Sequence, residues 1–209
     1  MTAPALPPSG RRRPGRWWPL LAVALAVVIG AGTYLAAGRG TAAPPSGGHG
    51  AGPQAAASAP AAPDGTFTAI GGNTVTIASL RGKPAMVWFV AGGCASCAAS
   101  IPAVAARLRQ LTAGGRRVVT LGLAGDFATG KQGLADLSAF GRAAAGGPVT
   151  RPGWIWGIAS QGLSQAYDPG GTPDVYALIS PSGHITYRGS VPVSTMPQLL
   201  AAARNAPSS

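Results

Sequence analysis

The sequence predicts an α/β domain: a mixed central sheet with helices on both faces and an N-terminal β-hairpin, placed after one membrane-spanning helix. Three observations carry that expectation. Residues 17–37 are 21 consecutive positions without a charge. Residues 85–90 and 118–123 are continuous apolar runs with β-branched members, the texture of strands buried on both faces. Between them Ile101, Val104, Leu108 and Leu111 recur at the spacing of one helix face, with Arg107, Arg109 and Gln110 on the other side.

The uncharged stretch comes first. At 1.5 Å per residue it reaches about 31 Å, enough for a hydrocarbon core of about 30 Å. Trp17 and Trp18 stand at its start and Tyr34 near its end, where amphipathic aromatics favour the interface. Arg11, Arg12, Arg13 and Arg16 precede it and only Arg39 closely follows. Residues 1–16 are therefore expected in the cytoplasm and the rest of the chain outside the cell membrane. A cleaved signal peptide ending near Thr41-Ala42-Ala43 is the alternative, although the run exceeds the usual apolar core of about 7–15 residues. Either reading exports the domain. Residues 38–65 read as a linker, since 23 of these 28 residues are Ala, Gly, Pro or Ser and no apolar period is sustained. His49 lies within it and reads as solvated.

Composition agrees with this mosaic. The 32 Gly and 20 Pro make up about a quarter of the 209 residues, yet 46% of the chain is hydrophobic. The formal net charge of +11 is split between the N-terminal arginines and residues 66–209, which hold 11 basic and four acidic side chains. Those basic residues are scattered, with no dense stripe interleaved with aromatics, so a nucleic-acid partner is not expected. There is no Glu, which excludes every mechanism that needs a Glu base, nucleophile or metal ligand. His49 and His184 are the only histidines, so a multi-histidine zinc or iron site is excluded.

Within residues 66–209 the elements follow in order. Residues 66–70 and 74–77 form a hairpin around Gly71-Gly72-Asn73. The strand over 85–90 leads through Ala91-Gly92-Gly93 into the amphipathic helix, which Pro102 should bend. The strand over 118–123 follows, then a short helical pattern over 134–140 and one or two helical turns over 163–167. Residues 175–179 and 185–187 make a second hairpin across Pro181-Ser182-Gly183-His184. Met196, Leu199, Leu200 and Ala203 mark a closing helix, with Thr195 expected as its N-cap and Pro197 in its first turn. Trp154, Ile155, Trp156 and Ile158 form an apolar cluster readable as a core strand or as the wall of a client groove.

The only cysteines, Cys94 and Cys97, flank Ala95-Ser96 at the strand-to-helix junction. Unpaired N–H groups and the positive end of the helix dipole favour a thiolate there. Cys94 is expected to have a lowered pKa and to attack as the nucleophile. Cys97, one turn inside the helix, resolves the resulting mixed disulfide. Structural zinc is excluded, since no second Cys pair or His pair completes four ligands. A purely structural disulfide stays open, although so small a loop would constrain the unfolded chain little.

Farther on, Gly171-Thr172-Pro173 precedes the strand over 175–179. With Ser79-Leu80-Arg81-Gly82-Lys83-Pro84, Val87-Trp88-Phe89, Cys94-Ala95-Ser96-Cys97, Ile101-Pro102 and the run from Ala177 to Ile185, it makes the chain resemble the thioredoxin superfamily. The likeness is to its extracytoplasmic TlpA/ResA and DsbE-like branch. The resemblance covers residues from about 66 to 204. It implies a thioredoxin-like fold and a redox-active Cys94–Cys97 disulfide with no cofactor. It also implies that Pro173 is cis and faces the cysteines, with Thr172 offering backbone hydrogen bonds to a bound client. Implied partners are exported proteins bearing thiols or disulfides, together with a membrane thiol transducer of the CcdA/DsbD type or an oxidase.

The departures from the family's pattern matter as much. Gly93 stands where a Trp is usual, Ser96 where a Pro is usual and Ser100 where many reductive members carry a buried Glu. Trp88 stands where thioredoxin has a buried Asp. Both familiar carboxylates beside the second cysteine are missing, so a water held by Ser96 or Ser100 is expected to handle its proton. No His lies between the cysteines, as it does in strong oxidases. An intermediate potential is expected, between about −270 and −120 mV. The direction of electron flow is open. Two other readings stand beside the oxidoreductase: a Cu(I)-handling protein using the two thiolates, with His184 as the one domain histidine, and a non-catalytic binding module with a vestigial cysteine pair. A peroxidase of the peroxiredoxin type is disfavoured, since Ala91 occupies the position of its Thr.

Overall fold

A computed structural model describes residues 59–205. The basic N-terminus, the 17–37 span, His49 and most of the 38–65 linker lie outside the described residues. Among the described residues no helix is long and apolar enough to cross a membrane.

The chain runs through β1 (Thr66–Ala69), β2 (Thr74–Thr76), β3 (Ala85–Val90), α1 (Ala95–Leu111), β4 (Arg117–Gly122), α2 (Gly130–Ala145), β5 (Trp154–Ala159), α3 (Gln161–Tyr167), β6 (Val175–Ile179), β7 (Ile185–Ser190) and α4 (Pro192–Asn205). One seven-stranded sheet has the order β2-β1-β5-β4-β3-β6-β7. The β3–β4 and β4–β5 pairs are parallel and all others antiparallel. The sheet is mixed, as the strand and helix order predicts.

All six residues of β3 are buried, which its unbroken apolar run requires of a central strand. Alternation divides them between two cores. Met86, Trp88 and Val90 pack with Cys97, Ile101, Val104, Leu108 and Leu111 of α1, Leu137 of α2 and Leu199 of α4. Ala85, Val87 and Phe89 pack on the opposite face with Phe67, Leu163 and Tyr167. Thus α1, α2 and α4 cover one face and α3 the other.

Three details differ from the sequence expectation, and one open alternative is resolved: the tryptophan cluster is a core strand, β5, inserted between β1 and β4. Its indoles at 154 and 156 sit with centroids 5.2 Å apart, and Trp154 Nε1 donates to Thr120 Oγ1 at 2.9 Å. The helix read over 134–140 extends across Gly130–Ala145, because alanines and glycines carry its ends without an apolar signal. The closing helix starts at Pro192 and is kinked at Thr195. The Thr195 hydroxyl bonds back to Ser190 O at 2.8 Å and to Tyr176, so it braces the kink instead of capping a fresh helix. Finally, residues 60–65, read as the end of the linker, hydrogen-bond to the domain. The Ala62 N–H donates to Gly183 O and the Ile185 N–H to Pro60 O, both at 2.8 Å. Asp64 Oδ1 accepts from the Ala78 N–H at 2.8 Å. These are mainly backbone bonds, which composition does not reveal.

The insertion of β5 depends on one glycine. A Cβ at Gly157 would stand 2.5 Å from Thr68 O and 2.8 Å from Phe67 Cδ2 on the neighbouring β1. Gly157→Ala is therefore expected to overpack the β1–β5 seam and cost about 1–3 kcal/mol. It should lower the urea midpoint at unchanged slope. An unaltered midpoint would contradict this placement of β5.

Candidate functional site

The site is built where β3 ends and α1 begins. Gly93 takes φ +75°, a left-handed conformation that an L side chain rarely adopts, so the departure from Trp at this position has a backbone reason. Cys94 is extended, at φ −73° and ψ 109°, and is the N-cap of α1. Its sulfur accepts from the Cys97 N–H at 3.1 Å, in the place a Ser or Asp oxygen usually fills. The two cysteines form a disulfide. Cys94 is half-buried and Cys97 is fully buried. The two sulfurs therefore differ in their access from solvent. The Ser96 hydroxyl lies 3.3 Å from Cys94 Sγ.

Thr172 is exposed and Pro173 half-buried, directly before Asp174. Asp174 is tied to Phe89, so both residues lie at the end of β3 from which the cysteine loop emerges. The cis bond implied at Pro173 is corrected: the described chain holds no cis peptide bond. The chain turns instead at Asp174, which takes φ 70°. Asp tolerates that region better than most residues. There the Asp174 N–H donates to Phe89 O at 2.8 Å and its carbonyl accepts from the Val191 N–H at 2.7 Å.

Asp174 is also the site residue that the sequence reading missed. Its side chain is wholly buried. Oδ1 accepts from Trp88 Nε1 at 2.9 Å and Oδ2 from the Ser100 hydroxyl at 3.1 Å. Trp88 and Ser100 occupy the two positions where the resembled family carries a carboxylate. Here both are donors to a carboxylate supplied by a third segment. A buried carboxylate is therefore present beside Ser100, one helical turn from Cys97, although neither expected position carries one. Burial pushes the Asp174 pKa up, while hydrogen bonds from Trp88, Ser96 and Ser100 pull it back in part. One signal for it was present in the sequence: an acid heading an apolar strand, in a domain with only four acids.

His184 sits in the β6–β7 turn, where its Nδ1 lies 3.2 Å from Ser182 Oγ. The cysteines lie toward the Val175 end of β6 and His184 beyond the Ile179 end. Five residues of strand separate the two ends by roughly 17 Å, so His184 does not join the cysteines in a ligand set. Among the described residues, no group of three His, Cys, Asp or Glu could hold a metal ion.

The raised Asp174 pKa gives a stability prediction. A carboxyl group that protonates more readily when folded contributes most below its unfolded pKa, and that contribution is lost as pH rises through the folded value. Asp174→Asn, neutral throughout, lacks the loss. Its unfolding free energy relative to wild type should therefore improve from about pH 3.9 upward. Urea unfolding followed by tryptophan fluorescence measures this, and a pH-independent difference would contradict it.

No family model and no curated protein matches the chain. Solved structures do. A candidate protein disulfide isomerase of Bacteroides thetaiotaomicron is similar at TM-score 0.53 and 19% identity, covering 71% of this chain and 88% of its own. BsSco, a member of the Sco family of cytochrome c oxidase assembly proteins, is similar at TM-score 0.52 and 15% identity, covering 70% and 95%. A candidate thiol:disulfide interchange protein DsbE of Chlorobium tepidum is similar at TM-score 0.50 and 19% identity, covering 69% and 96%. The likeness is one of fold, and with the sheet order it shows that the described domain has a thioredoxin-like fold.

Proposed function

We propose that the protein is a membrane-tethered thiol–disulfide oxidoreductase that exchanges disulfides with exported proteins. The observation that carries this reading is the asymmetric pair at the N-terminus of α1: a reachable Cys94 as N-cap, disulfide-bonded to a buried Cys97. A thiolate on Cys94 is stabilised by the Cys97 N–H and by the dipole of a 17-residue helix. Attack on a client disulfide then links Cys94 to the client, and Cys97 releases the client from one turn deeper. Thr172 and Pro173, at the same end of the sheet, are suited to present backbone groups to an extended client beside Cys94. The names of the similar structures from Bacteroides and Chlorobium agree with this chemistry.

The membrane tether rests on the 21-residue uncharged span and its flanking arginines. It would hold the domain at the outer side of the cell membrane. A transducer of the CcdA/DsbD type, or an oxidase partner, could exchange electrons with it there. The copper reading loses its histidine, since His184 lies at the far end of β6.

Cys94→Ser is expected to return disulfide exchange with a model protein to the uncatalysed rate. Cys97→Ser is expected to accumulate a client joined to Cys94, seen as a dithiothreitol-sensitive adduct on a non-reducing gel. Wild-type turnover by Cys94→Ser would refute the assignment. For the tether, the full chain should stay with membranes through a carbonate wash, and its domain should be degraded by protease added outside spheroplasts. A protease-shielded domain would contradict the proposed orientation.

A further inference from the structure

Asp174 combines bracing hydrogen bonds with the complete burial of an acid. It is the one fully buried acid among the described residues. It forms no ion pair among them, and a buried carboxylate without a cationic partner is costly. Its bond to Ser100 places that cost one helical turn from Cys97. Ser100 and Cys97 are both fully buried and lie one turn apart on α1, facing the core that contains Trp88. The Ser100 hydroxyl donates to the carboxylate and accepts from the Val193 N–H at 3.2 Å. The Ser96 hydroxyl touches Cys94 Sγ at 3.3 Å, and Ser96 is among the groups that pull the raised Asp174 pKa back in part.

We propose that Asp174 holds the proton that Cys97 gives up and regains during thiol–disulfide exchange, with the Ser96 hydroxyl bridging the sulfur pair and the carboxylate. This deepens the oxidoreductase reading and rests on it. In the reducing direction the Cys94 thiolate attacks a client disulfide. The Cys94–client bond forms, the client's own S–S bond breaks, and the departing sulfur takes a proton from solvent. The Cys97 thiol then passes its proton through Ser96 to the Asp174 carboxylate, and its sulfur attacks Cys94 Sγ. The Cys94–Cys97 bond forms, the Cys94–client bond breaks, and the second client sulfur leaves with the proton that Asp174 releases. Two electrons have moved from the protein dithiol to the client disulfide, and Asp174 is a carboxylate again. Oxidation of a client dithiol runs the same steps in reverse.

The surroundings suit this role. Asp174 faces Trp88 from β3, Ser96 and Ser100 from α1, and Tyr176 from β6. The Tyr176 phenol is pushed up to about 12, chiefly by burial, so it stays neutral and does not compete for the proton. The raised carboxyl pKa brings Asp174 closer to the thiol it serves, which favours efficient proton transfer. Asp174 acts through Ser96 and is a positioning residue; Ser96 is the group that touches a reacting sulfur.

The test uses the reduced full chain and 5,5′-dithiobis(2-nitrobenzoate). Attack by Cys94 releases one yellow thiolate in a bimolecular phase, and resolution by Cys97 releases the second in a unimolecular phase. Asp174→Asn keeps the shape and tolerates the left-handed backbone. It is expected to slow the second phase about 100-fold at neutral pH. It should also move that phase's pH midpoint toward the free-thiol value of about 8.5. Ser96→Ala should move the midpoint in the same direction. Asp136→Asn, at an exposed acid on α2, should leave it in place. A loss of packing alone would slow the phase without shifting its midpoint, so an unshifted midpoint in Asp174→Asn and Ser96→Ala overturns the role of Asp174. A wild-type protein that releases only one equivalent overturns the oxidoreductase reading, and this inference with it.

Discussion

The carboxylate of Asp174 ties together the parts of the site. It accepts from Trp88 on β3 and from Ser100 on α1, while its backbone bonds to Phe89 and Val191. One residue therefore fixes the end of the central strand, the first turns of the cysteine helix, and the loop carrying Thr172 and Pro173. Each bond satisfies a buried polar group that would otherwise be costly to leave unpaired. Trp88 and Ser100 would both be orphaned donors without the acid, and the acid would be far less tolerable without them. The left-handed backbone at 174 delivers the side chain inward while the chain enters β6.

This arrangement gives the missing carboxylates a physical meaning. A tryptophan and a serine occupy the two positions where an acid is expected, and each is a hydrogen-bond donor to an acid arriving from another segment. The site thus contains a buried carboxylate although a different element supplies it. Such an exchange is visible only in three dimensions, because 86 and 74 residues separate Asp174 from its two partners.

The same distinction explains what could be read from the sequence. The two hairpins, the buried strands β3 and β4 and the cysteine helix carry strong local signals, and they form. The position of Cys94 at a helix start followed from Gly92-Gly93 and the apolar period behind it. β5 was harder to place because Gly157 interrupts its pattern, and the length of α2 was hidden by small residues. Pro173 illustrates a limit of resemblance. Gly171-Thr172-Pro173 is legible as a motif, but the turn is made by Asp174, whose N–H bonds to Phe89 O. The contribution of residues 60–65 was hidden for the same reason, since backbone bonds to a distant hairpin leave little trace in composition.

The central claim is that the Cys94–Cys97 disulfide is a working redox couple and not a staple. Equilibration of the full chain with glutathione buffers, quenched by acid and read by thiol alkylation, tests it most directly. A working couple should titrate between about −270 and −120 mV. A pair that stays oxidised to below about −300 mV, as structural disulfides of exported proteins do, would contradict the account.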